Sequence, residues 1–385
     1  EKLKKVLLSV LSLSMFITTW ELSALNALAS EAEYEIYPLP QAITYSGGDF
    51  VISKEINVVY DDTIDDVTKN RLTEIVDAKG ITMSVSDEVK ANVTNVLVGT
   101  NGSDGYVDHY FDENITHDEA FFDKMDSHIV SIDNKTIAIL GKNTDASFYG
   151  LTSLKHILNQ IEGRTIRNLR IDDFASTKTR GFIEGYYGIP WSDEDRISLM
   201  QFGGEVKMNA YIFAPKDAAY HSGRWRDPYP AERLAEMKKM VDAGIDSKCR
   251  FVWTIHPFMS NGITESTFEA DIAKIITKFE QLYGIGVRQF GVLGDDSGDL
   301  PRSVVIRVME RLQEWVDSKG DVHNLVFCPA GYNNAWWKEG ELDDYDQGFH
   351  EDIQIFWTGE AVCQPIEQRT LDNFKTRDLP AGASP

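Results

Sequence analysis

The sequence predicts an α/β protein whose C-terminal part is a (β/α)8 TIM-type barrel with about six of its strands present. From Arg180 onward, short apolar runs alternate with stretches of helical periodicity, a pattern typical of βα units in a parallel sheet. Glycine-rich and polar segments follow these runs, where such barrels carry their functional sites. The apolar runs are residues 181–184, 210–214, 251–255, 290–293, 325–328 and 353–357.

Helices are predicted between these strands at residues 193–207, 231–243, 267–283 and 302–319. The Ser192 hydroxyl can accept an amide N–H in the first turn of the first helix, so we expect Ser192 to be its N-cap. A closed barrel has eight strands, and six runs leave it incomplete. We therefore expect the sequence to be truncated inside its barrel.

A smaller mixed α/β domain is predicted at residues 30–175. Strands are expected at residues 56–60, 81–85 and 96–98, and a β-hairpin at 128–140 that turns at Asp133 and Asn134. Amphipathic helices are expected at 65–79 and 148–161. We identify no catalytic constellation in this domain and place the barrel at residues 176–385.

The first 29 residues have the pattern of a secretory signal peptide. Lys2, Lys4 and Lys5 precede an apolar stretch at residues 6–20, and Ala27-Leu28-Ala29 offers a small-residue cleavage site. The apolar stretch is too short for a membrane-spanning helix. We expect export of the protein to the extracellular space. Since the chain begins with Glu1, we also expect its true start to be missing.

Composition limits the partners. The 61 acidic and 38 basic residues give a net charge of −23, which disfavours nucleic acids and anionic membranes because phosphate binding needs clustered Lys and Arg. The three cysteines, Cys249, Cys328 and Cys363, provide neither a disulfide framework nor zinc-ligand spacing. We expect no metal and no cofactor, and the sequence is silent on oligomeric state.

Two adjacent carboxylates follow the fourth apolar run of the barrel. Asp295 and Asp296 at a strand end suggest glycoside hydrolysis or another acid–base reaction. Two other interpretations stay open. The pair can be a solvated turn, or Asp295, Ser297 and Asp299 can begin a calcium loop, although that loop's glycine and distal glutamate are missing.

The ends of the other strands carry further candidate residues. Gly185 follows the first strand within a Gly- and Tyr-rich segment, Lys216 follows the second, His256 the third and Tyr332 the fifth. Each has an ordinary structural explanation, such as a turn, a solvated lysine, a core histidine or a packed ring. Their common location at one end of the barrel strengthens the functional interpretation.

Four segments together resemble glycoside hydrolase family 84. This family comprises β-N-acetylglucosaminidases of the O-GlcNAcase type, including secreted bacterial enzymes called hyaluronidases. The resemblance extends over nearly all of the chain after the signal peptide and implies that residues 30–175 are a hexosaminidase-type accessory domain. The segments are RGFIEGYYGIPW at 180–191, APKD at 214–217, GVLGDD at 291–296 and FWTG at 356–359.

The resemblance implies a retaining exo-β-N-acetylglucosaminidase that hydrolyses terminal β-linked GlcNAc from glycans or glycoproteins. In such enzymes the substrate's own acetamido oxygen attacks the anomeric carbon and forms an oxazoline. By resemblance, Asp295 orients the acetamido group and Asp296 is the general acid and base. Gly185, through its carbonyl, and Lys216 contact sugar hydroxyls, and Tyr332 helps to hold the acetamido group.

Two structural expectations follow from the pair. Because neighbouring strand residues point to opposite faces, both acids can face one pocket only if the strand ends or bends at Gly294. Because close carboxylates resist ionising together, one pKa of the pair should rise.

Some members of the family pattern are missing. The family's later asparagine, aspartate and tryptophan would follow residue 385, so we expect this chain alone to be inactive and its parent protein to be active. The alternative is a catalytically silent glycan-binding fragment. Family 20 hexosaminidases use an Asp-Glu pair, so the Asp-Asp pair here argues against that family. The sequence does not distinguish hyaluronan, mucin or O-GlcNAc protein as the natural substrate.

Overall fold

The computed structural model describes residues 33–370 except 217, 260 and 299. These residues form a seven-stranded mixed sheet and, after it, a six-stranded parallel sheet. The predicted signal peptide lies outside the described residues. Within the described ranges, no helix has the length and apolarity needed to cross a bilayer.

The first sheet belongs to the accessory domain. Its strand order is β1-β7-β5-β6-β4-β2-β3, with β2, β3, β4 and β6 parallel and β1, β5 and β7 joined by antiparallel pairs. The strands are β1 (Ala42–Val51), β2 (Glu55–Tyr60), β3 (Thr82–Val85), β4 (Thr94–Thr100), β5 (His128–Asp133), β6 (Thr136–Gly141) and β7 (Thr165–Asp173).

Helices pack on this sheet through apolar faces. They are α1 (Asp66–Asp77), α2 (Tyr106–Asn114), a short 3-10 helix (Glu119–Asp123) and α3 (Thr144–Gln160). The side chains of Asp65 and Asn143 accept amide N–H groups at the starts of α1 and α3, as N-caps do. The predictions of α1, α3 and strands β2 to β6 are confirmed within a few residues.

Three features of this domain differ from the sequence predictions. Strands β1 and β7 were not predicted, because β1 contains Gly47 and Gly48 and its register shifts between Tyr45 and Asp49. Helix α2 was also missed. The hairpin turn lies at Asn134 and Lys135, whose φ angles are 46° and 62°, so the predicted turn was one residue too early.

The second sheet is the expected part of a barrel. Its strands are in sequential order, each parallel to the next. They are β8 (Gly181–Glu184), β9 (Ala210–Phe213), β10 (Arg250–Ile255), β11 (Gln289–Leu293), β12 (His323–Cys328) and β13 (Gln354–Ile355). The last strand is shorter than predicted. Because all six strands run the same way, their C-terminal ends lie along one edge.

Helices cover one face of this sheet, as in a barrel. They are α4 (Asp193–Glu205), α5 (Ala231–Asp246), α6 (Phe268–Gly284), α7 (Arg302–Asp317) and α8 (Glu341–Gly348), of which only α8 was not predicted. Ser192 caps α4 and forms a capping box with Asp195, which confirms the predicted N-cap. Phe279 on α6 stacks on Phe290 of β11 at 4.3 Å, and such contacts fix the strand whose end carries the acid pair.

Candidate active site

The acid pair lies on a tight turn that begins where β11 ends. The strand stops at Leu293, as predicted, and the amide of Gly294 donates to the carbonyl of Cys328 at 2.7 Å. The Ser297 hydroxyl donates to the Gly294 carbonyl and closes the turn. Asp296 has a φ of 61°, a left-handed conformation that aspartate tolerates better than most residues. Asp295 and Asp296 therefore lie beyond the strand, and the alternation of side chains between its two faces does not apply to them.

Asp295 lies in what we call the inner wall, formed by Lys216, His256 and Asp295. Its side chain is only 13% exposed, and the Lys216 ammonium donates to Oδ2. The Nε2 atom of His256 lies 2.5 Å from the main-chain oxygen of Asp295 and 3.5 Å from Oδ1. Since a carbonyl oxygen can only accept, Nε2 carries the proton and donates it.

These neighbours keep the Asp295 carboxyl ionised. Burial by itself raises the pKa of Asp295, but the hydrogen bond from His256 and the positive charge of Lys216 outweigh burial and lower the pKa to about 2. The sequence led us to expect a raised pKa in the pair. Asp295 is not the member of the pair whose pKa rises, because a buried ammonium group compensates its charge. The raised pKa within the pair stays a prediction.

Asp296 lies at what we call the mouth, formed by Tyr187 and Asp296. Its side chain is exposed, and the Tyr187 hydroxyl donates to Oδ2 at 3.0 Å. Asp296 lines a cavity of about 280 Å³ that also contacts Trp336 and Gly298. The two neighbouring acids thus have different partners and different access to solvent.

A pocket of about 500 Å³ lies beside the inner wall. Four predicted site residues line it, namely Gly185, Lys216, Asp295 and Tyr332. The fifth, Asp296, lies in the adjoining smaller cavity. Burial, and then the charges of Asp296 and Asp295, raise the pKa of Tyr332 to about 12, so its hydroxyl keeps its proton near neutral pH and can donate a hydrogen bond.

The two ordinary interpretations of the acid pair fit this geometry poorly. A solvated turn does not explain Asp295, which is buried against an ammonium group. That same positive charge opposes binding of a calcium ion at Asp295. Asp299, the third residue of the hypothetical calcium loop, lies outside the described residues.

Glu184, at the end of β8, has a structural role. Its carboxylate is 1% exposed and accepts two hydrogen bonds from the Arg196 guanidinium at 2.7 and 2.8 Å, and a third from the Tyr211 hydroxyl. A carboxylate committed to such a bidentate pair is unavailable as a nucleophile.

Two residues of the site had no specific role assigned from the sequence. His256 was a candidate because it follows the third barrel strand, but a core histidine was also an open interpretation. Tyr187 belongs to the aromatic segment after β8, but nothing in the sequence indicates which of the adjacent tyrosines, Tyr186 or Tyr187, contacts Asp296. Tyr186 instead bonds the carbonyl of Ile189.

Comparison with known proteins identifies relatives of both parts of the chain. A family model described as beta-N-acetylglucosaminidase matches residues 180–378, just over half of the chain, and one described as glycosyl hydrolase family 20, domain 2, matches residues 33–174. Protein O-GlcNAcase from Rattus norvegicus and from Mus musculus are each 25% identical over 203 residues, which are 49% of this chain. The chain spans 22% of the length of these relatives.

Solved structures match both sheets. The structure of CpGH84D is 48% identical to this chain and superposes on it with a TM-score of 0.85. The match covers 89% of this chain and 58% of the CpGH84D chain. The structure of CpGH84B is 27% identical to this chain, with a TM-score of 0.79. That match covers 89% of this chain and 60% of the CpGH84B chain. The predicted fold, a partial TIM barrel with an accessory domain, is confirmed, and the chain belongs to glycoside hydrolase family 84.

Proposed function

We propose that the protein is a retaining exo-β-N-acetylglucosaminidase that removes terminal β-linked GlcNAc from glycans or glycoproteins. The observation that carries the proposal is the unlike surroundings of two adjacent acids at one strand end: Asp295 is buried against Lys216 and lines the larger pocket, and Asp296 is exposed beside Tyr187 and lines the smaller cavity. The match to a β-N-acetylglucosaminidase model and the O-GlcNAcase relatives support GlcNAc as the sugar.

In this proposal Asp295 positions the substrate's acetamido group. It accepts the acetamide N–H and balances the positive charge that grows as the acetamide oxygen bonds to the anomeric carbon. This role requires a carboxylate that stays ionised. The ammonium of Lys216 and the Nε2–H of His256 meet that requirement.

In this proposal Asp296 donates and accepts the proton in the two steps of the reaction. As the glycosidic bond breaks and the oxazoline forms, its carboxyl proton passes to the leaving oxygen. Its carboxylate then takes a proton from the water that opens the oxazoline, which restores both the acid and the configuration at the anomeric carbon. Exposure at the mouth suits this role, because the leaving group departs into solvent and the water enters from it.

The remaining predicted residues would hold the sugar. The carbonyl of Gly185 and the ammonium of Lys216 can bond sugar hydroxyls, and the protonated hydroxyl of Tyr332 can donate to the acetamido group. We propose secretion of the protein on the strength of its N-terminal segment alone. The second candidate is a glycan-binding role without turnover.

The test compares the activity of two variants on substrates whose leaving groups differ in quality. In the longest protein that the gene encodes, Asp296→Asn should spare aryl GlcNAc substrates with good leaving groups and lose activity on poor ones, because only poor leaving groups need a proton. Asp295→Asn should lose activity on all substrates, by roughly a hundredfold or more.

Asp346→Asn, which alters an exposed aspartate on α8, is the matched control and should behave as wild type. Equal losses for Asp296→Asn across all leaving groups would contradict its assignment as the acid. Glycan binding by a wild-type protein that hydrolyses none of the substrates would favour the second candidate.

A further inference from the structure

We propose that the accessory domain binds a transition-metal ion, with zinc the best fit, between Asp112, His117 and Glu119. One ligand atom from each side chain lies within 4.8 Å of the other two. From the sequence we expected no metal, and its cysteines lack zinc-ligand spacing. This site uses no cysteine and belongs to the other domain, so it is independent of the proposed function.

The orientation of His117 is the main observation. Its side chain is only 5% exposed and stands edge-on between the rings of Phe111 and Phe122, at 6.2 and 5.8 Å. Its Nδ1 atom lies 2.8 Å from the carbonyl of Ile115 and therefore donates to it. In the neutral ring this leaves a lone pair on Nε2, a buried atom that has no hydrogen-bond partner.

That lone pair points at two carboxylates. Nε2 lies 3.4 Å from Oε1 of Glu119 and 3.6 Å from Oδ1 of Asp112. Three electron-rich atoms repel one another unless a positive charge lies between them. Charge-assisted N–H···O bonds are shorter, about 2.7–2.9 Å. Two ligands at about 2.05 Å from a tetrahedral zinc ion lie roughly 3.3 Å apart, which is close to the two distances from Nε2 of His117 to the carboxylates.

The ligand types favour zinc over calcium or magnesium. An imidazole nitrogen suits zinc and other first-row metals, whereas calcium and magnesium prefer all-oxygen sites with more ligands. The bond from Nδ1 of His117 to a main-chain carbonyl is the second contact that metal-binding histidines usually make, and it fixes the ring. Three protein ligands would leave one position for water.

The site lies where it can stabilise the connection between the two sheets. Glu119 begins the 3-10 helix, and in that helix Phe121 packs against Phe174 with ring centroids 6.2 Å apart. The amide of Ala175 donates to the carbonyl of Met125 at 2.8 Å. Residues 174 and 175 lead from β7 into the barrel, so a metal that orders Glu119 would strengthen this contact.

The test is zinc binding by the purified protein after treatment with a chelator and dialysis. Calorimetric titration with zinc chloride should show one site of micromolar or tighter affinity, and zinc should raise the thermal unfolding temperature. The double variant Asp112→Asn/Glu119→Gln alters two exposed side chains without changing their shape. It should weaken this binding at least tenfold and abolish the thermal shift.

His109→Gln is the matched control, because His109 also lies beside a carboxylate, that of Asp104 at 3.0 Å, but has no third ligand. This variant should bind zinc as the wild type does. Cobalt added in place of zinc should give the visible absorption bands of a tetrahedral site. The proposal fails if the double variant binds zinc as tightly as wild type, or if wild type shows no binding at 100 µM zinc, about a hundredfold above micromolar affinity.

Discussion

The inner wall and the mouth of the candidate site hold adjacent residues in opposite electrostatic settings. In the inner wall, Asp295 is buried, faces an ammonium group and has a pKa of about 2. At the mouth, Asp296 is exposed and its closest described partner is the neutral hydroxyl of Tyr187. One turn of the chain therefore carries a buried carboxylate with a lowered pKa and another carboxylate that is exposed to solvent.

The difference shows how one fold can divide two roles between identical residue types. Environment, and not residue identity, separates the acids. Asp296 has a left-handed backbone, and it lines a different cavity from Asp295. Lys216, from the turn after β9, supplies the charge that keeps Asp295 ionised. Altering one region at a time should therefore change one role at a time.

Among variants that keep both acids, the largest effect should come from Lys216→Met, which removes the charge from the inner wall. Loss of an ionic hydrogen bond to a buried carboxylate costs about 1.5–3 kcal/mol, so kcat/KM should fall roughly ten- to a hundredfold. The pKa of Asp295 should also rise from about 2, since only the opposing effect of burial remains beside His256. Activity should then fall at acidic pH values that the wild type tolerates.

The pH profile of kcat/KM checks this prediction, because loss of a sugar contact alone would not move its acidic limb. Lys274→Met, which alters a half-exposed lysine on α6, is the control. It should change neither the value of kcat/KM nor the acidic limb of its pH profile. An unchanged acidic limb in Lys216→Met would show that the ammonium does not hold Asp295 ionised.

The second effect concerns stability in acid. The folded pKa of Asp295 is about 2, against 3.8 for an unperturbed aspartate, and this difference corresponds to about 2 kcal/mol. The contribution is fully present above pH 3.8 and is lost as pH falls toward 2. Urea unfolding should therefore show the advantage of wild type over Asp295→Asn shrinking by about 2 kcal/mol in that window. A constant difference would refute the charge pairing.

The sequence was informative wherever a feature depends on local pattern or on topology. Apolar runs located the barrel strands, and parallel order brought Gly185, Lys216, Asp295 and Tyr332 to one pocket. It was uninformative wherever a feature depends on packing between distant segments. Neither the φ of Asp296 nor its contact with Tyr187, 109 residues away, has a local signature.

The same distinction explains the missed elements. Strand β1 is largely exposed and contains two glycines, so it lacks the apolar alternation that marks a half-buried strand. A lone histidine carries no spacing pattern, and His256 gains its role only because β11 places the carbonyl of Asp295 against it. The direction of the Asp295 pKa shift depended on Lys216, which lies 79 residues away in the sequence.

A smaller effect is expected for His256, as a residue that positions Asp295. His256→Leu removes the Nε2–H that bonds the Asp295 carbonyl, so kcat should fall roughly tenfold, the effect of one lost hydrogen bond. His256→Gln keeps a donor and should recover part of the loss, with KM little changed. If both variants lose stability equally but keep wild-type kcat, His256 serves only packing.

The smallest effect should come from Tyr187→Phe, which alters only the mouth. It removes one exposed hydrogen bond to Asp296, worth about 0.5–1.5 kcal/mol, so kcat should fall by no more than about tenfold. The loss should be greatest for poor leaving groups, which depend on the acid, while the acidic limb set by Asp295 stays in place. Tyr186→Phe is the matched control, because its hydroxyl bonds Ile189 and not the acid. A uniform loss across leaving groups would instead indicate that Tyr187 binds the sugar and does not assist Asp296 as the acid.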